Sequence, residues 1–258
     1  LSGDAAIKYK DLLEYLQRHG KAKVSELTRA LFLSESTVRR ALHALDEQGK
    51  LHRFHGGAVS VDPGARAFIR QRQVSHSAEK NAIGRLGASF VQEGMTLLLL
   101  GGTTVHAICP YLKGKRLTVI TSSLPVINDL AWEEQMTVIL LGGVLNPPEM
   151  EVHGGLTQLT LERLRADLMF TGTSGMHPTH GVMTDDPNGV AAYNTCMHIS
   201  DQVFVLADHT KFENHWGTTL MCELTDISCL VTDDRISEPA RAYYEARVPR
   251  LLIAPCEG

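Results

Sequence analysis

Beyond residue 95, short apolar runs end repeatedly in glycine or hydroxyl residues and then give way to helix-compatible segments. That alternation limits the fold more than any other feature of the chain. The stretch "LLLLGGTTVHAI", Leu97 to Ile108, shows the unit: an apolar run, a glycine turn, then a helix start. The same reading predicts strands over Met95–Leu100, Leu117–Thr121, Thr137–Leu141, Asp167–Thr171, Gln202–Ala207 and Ile227–Thr232. Helices are predicted over Glu79–Val91, Val105–Leu112, Leu124–Glu133 and Leu156–Leu164. Near-continuous apolar strands alternating with helices require a mostly parallel sheet covered on both faces, which makes the class α/β.

Ligands of open parallel sheets bind beyond the carboxyl ends of the strands. Four predicted strand ends carry small or hydroxylated residues: Gly101 to Thr104, Thr121 to Ser123, Gly142-Gly143, and Gly172 to Gly175. Glycine allows close backbone approach, and the N–H groups of the next helix start can bond phosphate oxygens together with the Thr103 and Thr104 hydroxyls. Gly102, Thr103, Thr104, Ser122, Ser123, Gly142 and Gly143 are therefore candidate ligand-binding residues.

The first sixty residues follow a different rule. Ile7, Leu12, Leu13 and Leu16 recur at helical spacing and stop at His19-Gly20. A second helix is predicted over Val24 to Phe32, with Ser25 as its cap and Leu27, Leu31 and Phe32 facing inward. Ser34 caps a third helix, whose Val38, Leu42 and Leu45 form the inward stripe and which Gly49 ends. Three short helices with a tight turn between the last two make a helix-turn-helix. Its outward residues, Ser36, Thr37, Arg39, Arg40 and His43, can donate to base edges and phosphates. The following "KLHRFHGGAV" alternates and turns at Gly56-Gly57, as a two-stranded wing does, with Arg53 and His55 near the tip.

Charge follows the same division. Residues 1–60 carry ten basic and seven acidic side chains, whereas residues 81–258 carry 11 and 20. A basic front on an acidic body fits a polyanion-binding N-terminus. The longest apolar run is far below the roughly 20 residues that cross a bilayer, so no membrane association is expected. The opening "LSGDAAIKYK" has no apolar core or small-residue cleavage site, so no secretory signal is expected. The chain starts without Met, which leaves room for an upstream piece. Five cysteines, Cys109, Cys196, Cys222, Cys229 and Cys256, show no CxxC spacing and fit reduced, buried thiols of a cytoplasmic protein.

The order of residues in "VSELTRALFLSESTVRRALHALDEQGKLHRFHGGAV" resembles the winged helix-turn-helix of the DeoR family of bacterial transcriptional regulators. The later segments "GGTTV", "VITSS", "VILLGG", "ADLMFTGTSGM" and "VLADHTKF" resemble the effector domain of the same family, in the same order. The resemblance implies a small winged helix-turn-helix over 1–60, a linker over 61–78 and a Rossmann-like open-sheet domain over 79–258 similar to ribose-phosphate isomerases. It further implies a repressor of a carbohydrate catabolic operon that binds a double-stranded operator as a homodimer or tetramer and responds to a phosphorylated sugar or polyol. By that analogy Gly102, Thr103 and Thr104 cradle the phosphate, Ser122 and Ser123 flank it, and Asp208 and Lys211 meet the sugar. No cofactor or metal is expected.

Several positions depart from the family pattern. Ala41 stands where Asp usually follows the paired arginines, and Leu100 where Asp usually precedes Gly-Thr-Thr. Ser122 replaces the usual Asn, Val190 a Glu, and Asn194-Thr195 stand where basic residues are common. Losing several pocket polar groups together implies an effector chemically altered from the usual sugar phosphate, or one held weakly.

The competing reading is a sugar-phosphate isomerase or transferase-like enzyme, which needs a carboxylate base such as Asp185 or Asp186. Adjacent acids after Gly181 fit a turn or cap instead, and fold analogy does not establish activity. His177 and His180 are separated by Pro178 and lack completing ligands at recognisable spacing, also when His209 and His215 are considered. "GTSGM" has Met176 in place of the last glycine of a serine nucleophile elbow.

Overall fold

The computed structural model describes residues 9–16, 21–48, 50–54, 56–60, 72–147, 149–212 and 217–256. The chain divides into two compact units, Leu1–Gln71 and Arg72–Gly258. Ile7, His19-Gly20, Gly49, His55, His215 and the first eleven residues of the expected linker lie outside the described residues. The remainder of that linker belongs to the larger unit: residues 72–74 are helical, and the helix Ser77–Ala88 follows.

In the smaller unit, helix α1 spans residues 9–16, α2 Val24–Leu31 and α3 Glu35–Glu47. Strands β1 (Lys21–Lys23), β2 (Leu51–Phe54) and β3 (Gly57–Ser60) form an antiparallel sheet in the order β1-β3-β2. Leu12, Leu16, Leu27, Val38, Leu42, Leu45 and Leu51 close the core between them. Each fully buried Val or Leu contributes about 1.5–3 kcal/mol, so this small core rests mainly on the stripe that the three helices share.

Ser34 caps α3 as expected, its Oγ accepting the Thr37 N–H at 3.3 Å. Two other expectations are corrected. Lys23, not Ser25, is the N-cap residue of α2, and its N–H donates to Glu26 Oε2 at 2.7 Å. Phe32 does not face inward: it ends α2 at φ 52° in the left-handed region and is 95% exposed. The turn geometry outweighs the residue's apolar character, because one left-handed residue swings its side chain off the buried stripe.

The larger unit is built on a seven-stranded sheet in the order β15-β14-β12-β9-β4-β5-β6, parallel throughout. The strands are β4 Thr96–Leu99, β5 Leu117–Thr121, β6 Met136–Leu140, β9 Ala166–Thr171, β12 Ser200–Leu206, β14 Cys229–Asp233 and β15 Leu251–Ala254. Successive side chains on a strand point to opposite faces. Leu97 and Leu99 accordingly join one core with Ile83, Val119, Phe170 and Val231, while Leu98 joins the other with Ile120, Met169, Val205 and Tyr244. Burial on both faces explains why the strand reads as an unbroken run of leucines.

Helices α4 (Ser77–Ala88), α5 (Thr103–His106) and α6 (Leu124–Leu130) supply residues to the first core. Helices α7 (Gly155–Leu161), α8 (Val190–His198) and α9 (Glu238–Glu245) supply the second. The chain lays down β4, β5 and β6 outward in one direction, then returns to the other side of β4 with β9. The order therefore reverses between β4 and β9.

The helix predicted over Val105–Leu112 is shorter and earlier: α5 ends at His106, and Cys109–Tyr111 form a separate 3-10 turn around Pro110, which has no N–H to donate. The edge strand β15 was not among the predicted strands. Nor were the hairpin β7 (Val144–Asn146) and β8 (Glu151–His153), or the antiparallel sheet of β10 (Gly175–His177), β11 (Gly181–Thr184) and β13 (Thr219–Cys222). Among the described residues no helix is long and apolar enough to cross a membrane. Cys109, Cys196, Cys222 and Cys229 are buried free thiols, and burial pushes Cys109 and Cys196 up to about 12.

Candidate nucleic-acid interface and ligand crevice

The exposed face of α3 gathers the predicted reading residues. Ser36, Arg39, Arg40 and His43 are exposed and Thr37 is half-buried, while Val38, Ala41, Leu42 and Leu45 are buried behind them. Ala41 thus points into the core. Arg39 is held by Glu35, with Nε and Nη2 donating to the same carboxylate oxygen at 2.9 and 2.6 Å. Arg40 Nε donates to the Ser36 carbonyl at 3.4 Å. Ser34 Oγ lies 3.1 Å from Ser36 Oγ and 2.8 Å from Thr37 Oγ1, so the cap and the first-turn hydroxyls form one network. His43 Nδ1 is 3.4 Å from Glu47 Oε1. Arg53 is exposed on β2, in register with Ala58 of β3.

In the larger unit, the turn after β4 lies at the point where the strand order reverses. Gly102 adopts φ 104°, a conformation that favours glycine, and starts α5. Gly172 follows β9, and a methyl group added there would come into van der Waals contact with the Gly101 carbonyl. Thr103 and Thr104 are mostly buried, and their hydroxyls make no hydrogen bond to a described residue.

The neighbouring turns are tied more tightly. Thr121 Oγ1 donates to the Leu99 carbonyl at 2.6 Å and accepts the Ser123 N–H at 3.0 Å. Thr157 Oγ1 donates to the Gly142 carbonyl at 2.7 Å, and a side chain at Gly143 would overlap Thr157 and the His153 carbonyl. Gly102 to Thr104, Ser122-Ser123 and Gly142-Gly143 thus follow three adjacent strands, β4, β5 and β6.

Asp208 and Lys211 follow β12, two strands from β4 on the far side of β9. Asp208 is almost fully buried and accepts from the Thr210 N–H at 3.2 Å and from the Thr210 hydroxyl. It caps the 3-10 turn His209–Phe212 that carries Lys211. His209 is fixed by Asp233, which takes its N–H at 2.7 Å and lies 3.0 Å from Nδ1.

Three residues missed by the sequence reading share the neighbourhood of these turns. Lys80 is buried with Nζ donating to the carbonyls of Arg72 and, at 2.7 Å, Ser75; burial lowers its pKa, opposed by the charge of Asp208. Glu151 on β8 accepts from Ser122 Oγ at 3.1 Å, and burial raises its pKa above the usual carboxylate range. His153 lies between Glu151 Oε2, at 4.0 Å from Nε2, and Asp186 Oδ2, at 3.9 Å from Nδ1. No local pattern marks these residues, because Glu151 and His153 sit on a three-residue strand and Lys80 on a helix of ordinary composition.

Of the acids weighed as catalytic bases, Asp185 is tied into its turn through its backbone and Asp186 through its carboxylate. The Asp185 N–H donates to Ser174 Oγ at 3.0 Å, and Asp186 Oδ1 accepts the Asn188 N–H at 3.0 Å. His177 Nδ1 accepts the N–H groups of Thr179 and His180, both at 3.1 Å, which occupies a lone pair a metal would need.

Residues 9–64 match the family model of the DeoR-like helix-turn-helix domain, and residues 75–234 match that of the DeoR C terminal sensor domain. The chain is 29% identical over 251 residues to the uncharacterized HTH-type transcriptional regulator YulB of Bacillus subtilis (strain 168), covering 97% of each. It is 31% identical over 227 residues to the HTH-type transcriptional repressor GlcR of the same organism, covering 86% of each. Ribose 5-phosphate isomerase A from Methanocaldococcus jannaschii aligns with a TM-score of 0.40 at 14% identity, over 54% of this chain and 56% of that one. With both domain models matched in order and full-length relatives on either side of 30% identity, the chain belongs to the DeoR family of helix-turn-helix transcriptional regulators.

Proposed function

We propose that this regulator represses a carbohydrate catabolic operon and that a phosphorylated sugar or polyol, bound in the crevice of the larger unit, changes its occupancy of the operator. The observation that carries this reading is the face of α3 formed by exposed Ser36, Arg39, Arg40 and His43 with half-buried Thr37, backed by the buried stripe Val38, Ala41, Leu42 and Leu45. Arginine bonds guanine bidentately in the major groove, and Arg53 and His55 of the wing grip the backbone. Ser34, which caps the helix, is exposed at its start, and this supports a place for it beside the DNA backbone.

The proposed crevice is lined by Gly102, Thr103, Thr104, Ser122, Ser123, Gly142 and Gly143, with Asp208 and Lys211 at the β12 end. Its place at the reversal of strand order, where open parallel sheets hold their ligands, supports it. The relatives named as repressors support the sign of regulation. A homodimer or tetramer follows from half-site logic, with recognition helices about one DNA turn apart. Regulation requires an effector that binds the DNA-releasing and DNA-bound states with different affinity, since equal binding shifts nothing. Catalysis is not part of this reading, since the Asp186 carboxylate accepts a turn N–H and both matched family models are those of regulators.

A gel-shift titration against the intergenic DNA beside the protein's own gene, repeated with a panel of sugar and polyol phosphates, tests the reading. Operator binding that weakens with salt and shifts its midpoint with one of these compounds supports it. Midpoints unmoved by every compound remove the phosphorylated effector, and absence of DNA binding removes the regulator.

A further inference from the structure

The glycine turn after β4 already holds an anion of the protein's own. The carboxylate of Glu151 lies directly over Gly101, where a methyl group would overlap it. Ser122 Oγ donates to it at 3.1 Å, and Ser123 bridges Glu151 through the backbone. Val152 N–H to the Ser122 carbonyl at 3.0 Å and Leu124 N–H to the Met150 carbonyl at 2.9 Å pin the segment on either side. Glu151 is thereby a fixture of the crevice rather than a passing surface acid. His153 Nε2, 4.0 Å from Glu151 Oε2, is buried and has no hydrogen-bond partner among the described residues.

A phosphate placed at Gly101 and Ser122 would meet this carboxylate in a desolvated setting, where like charges repel far more strongly than in water. A carboxylate has about four acceptor sites, and the Ser122 hydroxyl leaves capacity for further hydrogen bonds. Hydroxyl and ammonium groups can use that capacity without repulsion; phosphate at pH 8 has a single O–H to offer and brings a double negative charge against the carboxylate. Beyond the end of β12, Lys211 makes no hydrogen bond or ion pair with another described residue through its side chain. Two strand spacings, roughly 10 Å, separate the ends of β12 and β4.

We propose that Glu151 is the specificity-determining residue of the effector crevice: it excludes phosphate from the Gly101–Ser122 end, receives hydroxyl or ammonium groups of a polyhydroxyl effector there, and leaves the Lys211 end for an anionic group. This deepens the sensor reading given above and rests on it. The polarity is the reverse of the one the family resemblance implies, and it agrees with the loss of several polar pocket residues in this chain.

The test is calorimetric titration of the full chain with inorganic phosphate at pH 8, comparing wild type, Glu151→Gln and Glu151→Ser, each also combined with Lys211→Met. Thermal melts identify any variant that has lost its fold, and the two replacements at 151 back each other up. Removing the Glu151 charge should tighten phosphate binding by at least about tenfold, the gain one pKa-unit equivalent of interaction represents. The gain should survive Lys211→Met, because it arises at a separate seat. Equal affinity in wild type and both variants, no phosphate binding in any of them, or a gain that vanishes with Lys211→Met each overturn the proposal. Phosphate reports on the seat alone, so this result stands or falls independently of whether a sugar phosphate moves the operator midpoint.

Discussion

Arg39 and Glu35 stand one helical turn apart on α3, with both guanidinium donors on a single carboxylate oxygen at 2.6 and 2.9 Å. The residue that should grip DNA is thus held by an acid on the same face. An exposed pair of this kind adds about 0.3–0.5 kcal/mol to the helix, so its larger consequence is to position Arg39 and to set what DNA must displace. Glu35→Gln should leave thermal stability nearly unchanged while raising operator affinity at low salt several-fold. Fluorescence anisotropy at two salt concentrations checks this, and the advantage should shrink as salt screens the charge.

Ser34 links stability to recognition. Its hydroxyl caps α3 and contacts the hydroxyls of Ser36 and Thr37. Ser34→Ala should cost about 1 kcal/mol, the usual loss for an N-cap, measurable by urea unfolding of the full chain. Operator binding should also weaken, because the first-turn hydroxyls lose their anchor.

Gly101 tests the crevice from the opposite side of the contact. Gly101→Ala places a methyl where the Glu151 carboxylate lies, and the flexible end of that side chain is the part that must move. The variant should remain folded by circular dichroism and should bind inorganic phosphate more like Glu151→Gln than like wild type.

Burial raises the Glu151 pKa above the ordinary 4.5, opposed by His153 and by hydrogen bonds from Ser122 and Gly101. A carboxyl whose folded-state pKa is raised favours the folded state only while protonated, so its contribution is lost as pH rises from the unfolded-state pKa toward the folded one. Glu151→Gln carries no such cost. Its melting temperature should exceed that of wild type at pH 7.5, with the difference closing as pH falls toward 4.5. His153 on the same strand, Asp186 beyond it, Cys196 on α8, and Glu149, paired with Arg72 at 3.0 Å, also face this region.

The sheet was legible because its physics is local and repeated. Leu97, Leu98 and Leu99 alternate between two cores, so a strand buried on both sides must read as a continuous apolar run. Ser34 was legible because a hydroxyl before a helical stripe has one dominant use. Phe32 was not, since apolar character points inward while a left-handed helix end turns the side chain outward. The two-stranded β7–β8 hairpin gives too few residues for periodicity to register, and Glu151 reaches the crevice only because that hairpin folds back on the ends of β4 and β5. Lys80 and Asp233 are likewise brought to the strand ends by tertiary packing, which no spacing along the chain encodes.

The most direct test of the regulator account is operator binding by the Arg39→Ala, Arg40→Ala double variant beside wild type at matched salt. Both side chains are exposed, so the fold should persist while affinity for the operator falls by at least about thirtyfold, as loss of contacts worth about 1–3 kcal/mol each implies, and the salt dependence should flatten. Unchanged affinity in a correctly folded double variant would contradict the account.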